Sequence, residues 1–186
     1  MKTLLILSSG RDVWDEVEKV RPIIGEHDTL AINYMIILWP DKLDYAVSWH
    51  HDLLPRIVDV RTYRNKKNRP VTIGPKPFEG VDRVGRFYDG DIESSGMYAV
   101  HVGAHLGYDK IIITGVPFDC AGHFYDPAEE HDLFKNCATI NDKHRYVDTA
   151  KNMWKKMAKE YGDRVRAVSG NLADCFGKVT EEWMAS

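Results

Sequence analysis

The sequence predicts a three-layer α/β fold, with a mostly parallel sheet and helices on both faces. Two observations predict it. Short apolar runs end at glycine or a small polar residue, and they alternate with stretches of helical periodicity. Thr3–Leu7 is the first such run; it ends at Ser8-Ser9-Gly10 and reads as a buried strand followed by a tight turn. Val13, Val17 and Val20 then recur at helical spacing, with Asp12 placed as an N-cap. Thr29–Asn33 and Tyr45–Trp49 read as the second and third strands, and Ile57–Val60 and Val71–Ile73 as two short ones. Tyr63–Pro70 between these is basic and reads as an exposed loop. Phe78–Ile92 is rich in Gly and Asp, so it reads as irregular, with an edge strand at Arg83–Tyr88. A helix over Ser95–Leu106 feeds a strand at Lys110–Thr114 that stops at Gly115. Pro117–Asp142 has weak periodicity and many acids. A long irregular connection inside a compact domain is commonly a functional lid or a disordered loop, and residues 117–142 are assigned as a lid. His144–Tyr161 is a strongly amphipathic helix, Val165–Val168 a last strand and Leu172–Phe176 a short turn or helix.

The bulk numbers bound the function. A chain of 186 residues forms one domain by default, here residues 1–186, and is long enough to bury a core. Hydrophobic residues at 44% and charged residues at 28% are ordinary globular proportions. A net charge of -3 argues against binding nucleic acid through a broad basic surface, and no specific nucleic-acid signal is present. The three cysteines, Cys120, Cys137 and Cys175, form no CxxC pair; this disfavours structural zinc and a disulfide framework and favours a cytoplasmic location. Leu4–Leu7 is too short for a signal sequence, and no apolar run reaches the length of a membrane span. Association into an oligomer is left open.

In an open α/β sheet, ligands sit at the carboxyl ends of the strands, often against helix N-termini. The candidate residues follow from that rule. Ser8, Ser9 and Gly10 are either an ordinary βα turn or the place where a nucleotide phosphate or ribose meets the backbone; the segment is neither GxGxxG nor a P-loop. Asn33 is either a strand-end amide that reads a base or phosphate oxygen, or a turn residue bonding its own backbone. Ser94, Ser95 and Gly96 supply an N-cap and also leave free N–H groups for an anion. His101 and His105 have the i,i+4 spacing of a metal pair, but without HExxH the favoured reading is a polar stripe or hydrogen-bonded core histidines. Asp119, His123, Asp126, Glu129, Glu130 and His131 could together hold a divalent ion, with a solvated acidic loop the commoner explanation. His144 opens the long helix, where the dipole would lower its pKa and suit it to general-base work; the alternative is a surface histidine. Cys120 has no His-Asp order to make it a nucleophile.

Three segments carry a family resemblance: Ser94-Ser95-Gly96-Met97-Tyr98, Leu106-Gly107-Tyr108-Asp109-Lys110-Ile111 and Gly115-Val116-Pro117-Phe118-Asp119. They resemble the core of the bacterial sialyltransferases of the Campylobacter lipooligosaccharide type. In that family a Ser-Gly-x-Tyr helix leads to a Leu-Gly-Tyr-Lys turn and a Ser-Gly-Ile-Asp-Phe-Tyr strand end. The same superfamily includes archaeal pterin-diphosphokinase-like proteins and opens with a strand and a Gly-x-Gly-Pro-Ser turn, which Ser8–Asp12 resembles. Ala31-Ile32-Asn33 is similar to the family's Arg-Cys-Asn strand end, and His144 to its catalytic histidine.

The resemblance implies a Rossmann-like fold that binds a nucleotide-activated sugar donor, CMP-linked in the family, without an obligatory metal. It implies that Ser8–Gly10, Asn33 and Ser94–Gly96 hold the nucleotide, together with Gly115, and that His144 deprotonates a hydroxyl acceptor. Tyr125 matches the second phosphate-facing tyrosine, while Asp119 stands where the family has the first. A carboxylate beside a phosphate is unfavourable unless a cation intervenes. Two alternatives follow: a Mg²⁺-dependent phosphoryl or pyrophosphoryl transferase using Asp119, and a nucleotide-binding module without catalysis.

Overall fold

The structure, a computed structural model, describes residues 1–65, 68–85, 94–116 and 140–186, with 64–65 and 140–147 described by their backbone alone. The strands are β1 (Thr3–Leu7), β2 (Asp28–Ile32), β3 (Tyr45–Val47), β4 (Val71–Gly74), β5 (Arg83–Val84), β6 (Lys110–Thr114) and β7 (Val165–Ala167). They form one seven-stranded sheet in the order β5-β4-β3-β2-β1-β6-β7, and every pairing is parallel. The helices are α1 (Val13–Ile24), α2 (Met35–Leu38), α3 (Leu54–Asn65), α4 (Ser95–His105), α5 (Ile140–Tyr161), α6 (Gly170–Phe176) and α7 (Glu181–Ala185). The architecture is the expected three-layer α/β, Rossmann-like one.

Alternation along the strands builds two cores, because successive side chains of a strand leave on opposite faces. Leu4, Ile6, Ile111 and Ile113 pack under α4, α5 and α6 with Tyr98, Trp154 and Phe176. Leu5, Leu7, Ala31 and Ile112 pack under α1, α2, α3 and α7 with Val17, Met35, Val58 and Trp183. All five residues of β1 and all five of β6 are buried, and this produces the unbroken apolar runs in the sequence. α4 lies so close to this pair that a Cβ at Gly103 would come within 2.7 Å of Leu4 Cδ2.

Several boundaries differ from expectation. β3 stops at Val47 rather than Trp49, and β7 at Ala167. β5 is two residues long. Asp12 is the N-cap residue of α1, but its side chain makes no capping bond. α5 begins at Ile140, four residues before His144, so the end of the proposed lid is helical and residues 117–139 lie outside the described residues.

The largest correction is Ile57–Val60, which is not a strand but the middle of α3. Three β-branched residues among four suggest a strand, yet Leu54, Val58 and Arg61 follow helical spacing and all three are buried. Arg61 is 0% exposed and every donor of its guanidinium is used. Nη1 donates to the carbonyls of Ile36 (2.9 Å) and Trp39 (2.8 Å) at the end of α2, and Nη2 to Asp41 O (2.7 Å) and Asn68 Oδ1 (3.3 Å). Nε donates to Asn68 O at 3.2 Å. The four-residue helix α2 therefore ends on a buried cation, which suits the negative end of its dipole. This tertiary lock overrides local β preference.

Two predictions follow from these buried and half-buried charges. Arg61→Leu strands several buried carbonyls and should lower the unfolding free energy by about 3 kcal/mol or more, with Arg61→Lys intermediate; a loss under about 1 kcal/mol in urea titration would contradict the lock. At the β4–β5 edge, Asp82 accepts from Arg69 Nη1 (2.9 Å), Thr72 N (2.8 Å) and Thr72 Oγ1 (2.8 Å). Arg69 foremost, then Thr72, holds the Asp82 carboxyl down at about 2 against an ordinary 3.8. A lowered folded pKa gives stability that is present above the unfolded value and lost as pH falls through the folded one. Asp82→Asn should thus be less stable than the wild type near neutral pH, and thermal melts should show the gap closing between about pH 4 and pH 2.

Candidate functional site at the carboxyl edge of the sheet

β1 is the point at which the chain changes direction across the sheet. From β1 the strands run outward in order through β2, β3, β4 and β5; α4 then carries the chain back to β6 on the other side of β1. The carboxyl ends of β1 and β6 therefore flank a topological switch point, where ligands of open α/β sheets bind. Ser8–Gly10 follows β1, Asn33 follows β2, and Gly115 follows β6.

The turn after β1 is joined directly to the end of β6. Ser8 N donates to Thr114 O (3.0 Å) and Gly10 N to Gly115 O (2.8 Å). Two of the three amides expected to meet a phosphate are thus already engaged, and Ser9 is the residue of the turn whose N–H and hydroxyl have no partner among the described residues. Gly115 has φ +70, and a Cβ there would lie 2.5 Å from Ser8 O and 2.9 Å from Val13 Cβ. Glycine is required by conformation and by space together. Its N–H donates to Glu16 Oε2 at 2.6 Å, while Ser169 Oγ donates to Glu16 Oε1. Glu16 is 2% exposed. Burial raises its pKa above the ordinary 4.5, against the opposing effect of the Ser169 and Gly115 hydrogen bonds.

On the β2–β3 side, three polar side chains converge. Asn33 has φ 51, a left-handed conformation that asparagine tolerates. Its Oδ1 accepts from Ser48 Oγ (2.7 Å) and from Ser95 Oγ (3.3 Å). Each hydroxyl in turn accepts a backbone N–H: Ser48 from His50 (3.0 Å) and Ser95 from Trp49 (3.0 Å). This accounting assigns the amide orientation and leaves the Asn33 NH₂ donors without a partner among the described residues. Asn33 bonds two neighbouring elements, not its own backbone. Ser94 is the N-cap of α4, accepting from Met97 N at 3.3 Å, so Ser94, Ser95 and Gly96 stand beside the ends of β2 and β3.

A cleft of about 540 Å³ opens over these strand ends. Its polar lining is Ser9, Asn33, Ser48, His50 and Arg56, and its apolar side includes Ile37, Leu53 and Ile57. Among the described residues it is lined by no carboxylate, so its field favours an anionic ligand. Arg56 has no ion pair among the described residues.

The structure thus gathers Ser8, Ser9, Gly10, Asn33, Ser94, Ser95, Gly96 and Gly115 along one edge. Asp119 and Tyr125 lie outside the described residues, as do Cys120 and the His123–His131 acids and histidines. His144 lies one turn inside α5 rather than at its opening. His101 is a core histidine, buried and bonded through Nδ1 to Tyr161 OH (2.6 Å), with the His105 ring against it at 4.0 Å and tilted by 47°. Among the described residues no three His, Cys, Asp or Glu side chains gather as a metal site.

Sequence reasoning missed Ser48, Glu16, His50 and Arg56. A strand drawn through Trp49 hides Ser48, and a strand at Ile57–Val60 hides the helix that carries Arg56. Glu16 had a usable signal: it stands three residues from Val13, on the stripe of Val13, Val17 and Val20. Gly115→Ala should cost about 2 kcal/mol or more and lower any nucleotide affinity of this edge, as read by thermal melts and calorimetry. An alanine variant of unchanged stability and affinity would contradict the close approach to Ser8.

A scan against protein-family models finds no match, and neither does a search of curated proteins. Two solved structures are similar to this chain. One is the sialyltransferase CST-II in complex with a trisaccharide acceptor and CMP, at TM-score 0.64; the other is monomeric CstII, at TM-score 0.62. Each is 14% identical in sequence, and each match covers 97% of this chain and 87% of the other. The fold implied by the sequence resemblance is therefore the fold found, and at that identity the likeness is one of fold.

Proposed function

We propose that this chain is a glycosyltransferase-type enzyme that transfers a sugar from a nucleotide-activated, CMP-linked donor to a hydroxyl acceptor. The observation that carries the reading is the joined network of Asn33, Ser48 and Ser95 at a carboxylate-free cleft on the switch-point edge. The fold likeness to a sialyltransferase seen with CMP and an acceptor supports it.

Ser9 and the free Asn33 amide donors hold the nucleotide, with Ser94–Gly96 and Gly115 shaping the edge beside them. Tyr125 serves the donor phosphate from the segment that follows β6, while Asp119 belongs to the Mg²⁺-dependent alternative. His144 takes the acceptor proton as the acceptor oxygen bonds to the anomeric carbon. The glycosyl–phosphate bond breaks, and the phosphate leaves with the electron pair. Its growing charge is met by N–H and hydroxyl donors that are already oriented. Arg56 adds positive potential for the anionic donor.

Calorimetric titration with CMP in EDTA, together with CMP release from CMP-linked donors, tests the reading. Asn33→Ala should weaken CMP binding by about tenfold, one hydrogen-bonded contact. His144→Ala should lower turnover by about 10²–10⁴-fold and leave CMP affinity unchanged. Binding that needs Mg²⁺ and is lost in Asp119→Ala would contradict it in favour of phosphoryl transfer. CMP binding without turnover that depends on His144 would contradict the enzyme and leave a binding module.

A further inference from the structure

The buried carboxylate of Glu16 has no role in the chemistry just described, and it sits in an unusual place for a charge. It lies between the ends of β6 and β7, bonded to Gly115 N at 2.6 Å and to the Ser169 hydroxyl. Ser169 is the N-cap residue of α6, yet its side chain makes no capping bond because its hydroxyl is turned to Glu16. A neutral amide could serve both partners, accepting from Gly115 N and donating to Ser169 Oγ. The hydrogen bonds alone therefore do not account for an ionisable group in this position. The charged groups that act on it are Asp12, which opposes its ionisation, and Lys19, which favours it, both from its own segment. From β6 and from the β7–α6 turn, the facing groups are the Gly115 amide and the Ser169 hydroxyl, both neutral. No salt bridge to Glu16 occurs among the described residues.

We propose that Glu16 is a proton-linked positioning residue, which holds the Gly115 turn and takes up a proton from solvent when an anionic nucleotide phosphate docks on the switch-point edge. The proposal rests on the nucleotide reading of that edge. A phosphate brings a second negative charge towards the turn that Glu16 already holds by a short hydrogen bond. In a desolvated environment two like charges interact strongly, and protonating the one that is already costly to bury relieves both. The protonated carboxyl keeps its carbonyl oxygen for Gly115 N and its other oxygen for Ser169, so the turn stays in place while the charge leaves.

The sign of the stability effect follows from linkage. A carboxyl whose folded pKa lies above its unfolded one binds more protons in the native state, so stability falls as pH rises from the unfolded value through the folded one. Glu16→Gln removes that loss. It should be more stable than the wild type near neutral pH, with the difference closing as pH falls towards the ordinary value of 4.5.

The test has a ligand arm and a ligand-free arm. CMP is titrated calorimetrically into wild type and Glu16→Gln in buffers of different ionisation enthalpy, between about pH 5 and pH 8. The nucleotide's own phosphate titration is common to both proteins and cancels in the comparison. The wild type should take up extra protons on binding, and its affinity relative to Glu16→Gln should fall with pH by up to about tenfold per unit. Ser169→Ala, which removes a donor to the charged form, should move this window to higher pH. Equal proton uptake in wild type and Glu16→Gln overturns the coupling while leaving the nucleotide reading intact. CMP binding by neither protein overturns that reading and the coupling with it. In the ligand-free arm, a Glu16→Gln protein less stable than the wild type at neutral pH overturns the proposal, because the charge would then be stabilising.

Discussion

The carboxyl edge of this sheet depends on how little room there is at Gly115. The Ser8 carbonyl would lie 2.5 Å from any Cβ at this position, and the Glu16 carboxylate takes the glycine N–H from α1. Parallel strands β1 and β6 come from distant parts of the chain, and their pairing costs loop-closure entropy before it gives any contact. The bonds from Ser8 N and Gly10 N extend that pairing past the strands into the turn. This fixes where the first crossover turn sits relative to the segment that follows β6. The candidate phosphate position is thus defined by backbone packing, and Ser9 is left to meet a ligand.

Two buried polar clusters divide the work of the fold. Arg61 satisfies all its donors on backbone carbonyls and the side chain of Asn68, and so ties α2, α3 and the β3 entry together with no group left over for a ligand. The Asn33–Ser48–Ser95 cluster uses the same accounting with a different remainder. Both lone pairs of the Asn33 carbonyl oxygen and both hydroxyls are engaged, and the amide donors remain. A fully satisfied buried group stabilises; a group held firmly with one face unsatisfied recognises. Glu16 belongs to a third kind, satisfied in hydrogen bonds but not in charge. That makes its environment sensitive to any anion placed nearby.

The parts legible in the sequence were those set by local pattern. Thr3–Leu7 and Lys110–Thr114 read as strands because burial on both faces leaves an unbroken apolar run. A serine of the Ser94-Ser95 pair read as a cap, and Asn33 as either a strand-end amide or a turn residue, because those residue types favour such boundaries. Ile57–Val60 misled because β-branched residues favour strands locally, and the guanidinium that commits them to a helix makes its bonds to residues distant in sequence. Ser48 and Arg56 were hidden behind misplaced boundaries. The pairing of Glu16 with Gly115 and Ser169 spans 99 and 153 residues, and no local signal foretells either partner. The site was therefore readable one strand end at a time, while the bonds that join those ends were not.

The most direct test of this account is an amide-resolved NMR titration of the whole chain with CMP in EDTA. The account predicts shift changes concentrated at Ser9, at the Asn33 side-chain amide, at Ser95-Gly96 and at Gly115. It predicts none at the smaller cavity of about 250 Å³ lined by Thr29, Trp39 and Asp44. Shifts confined to that smaller cavity, or none at saturating CMP, would contradict the assignment of the switch-point edge as the nucleotide site.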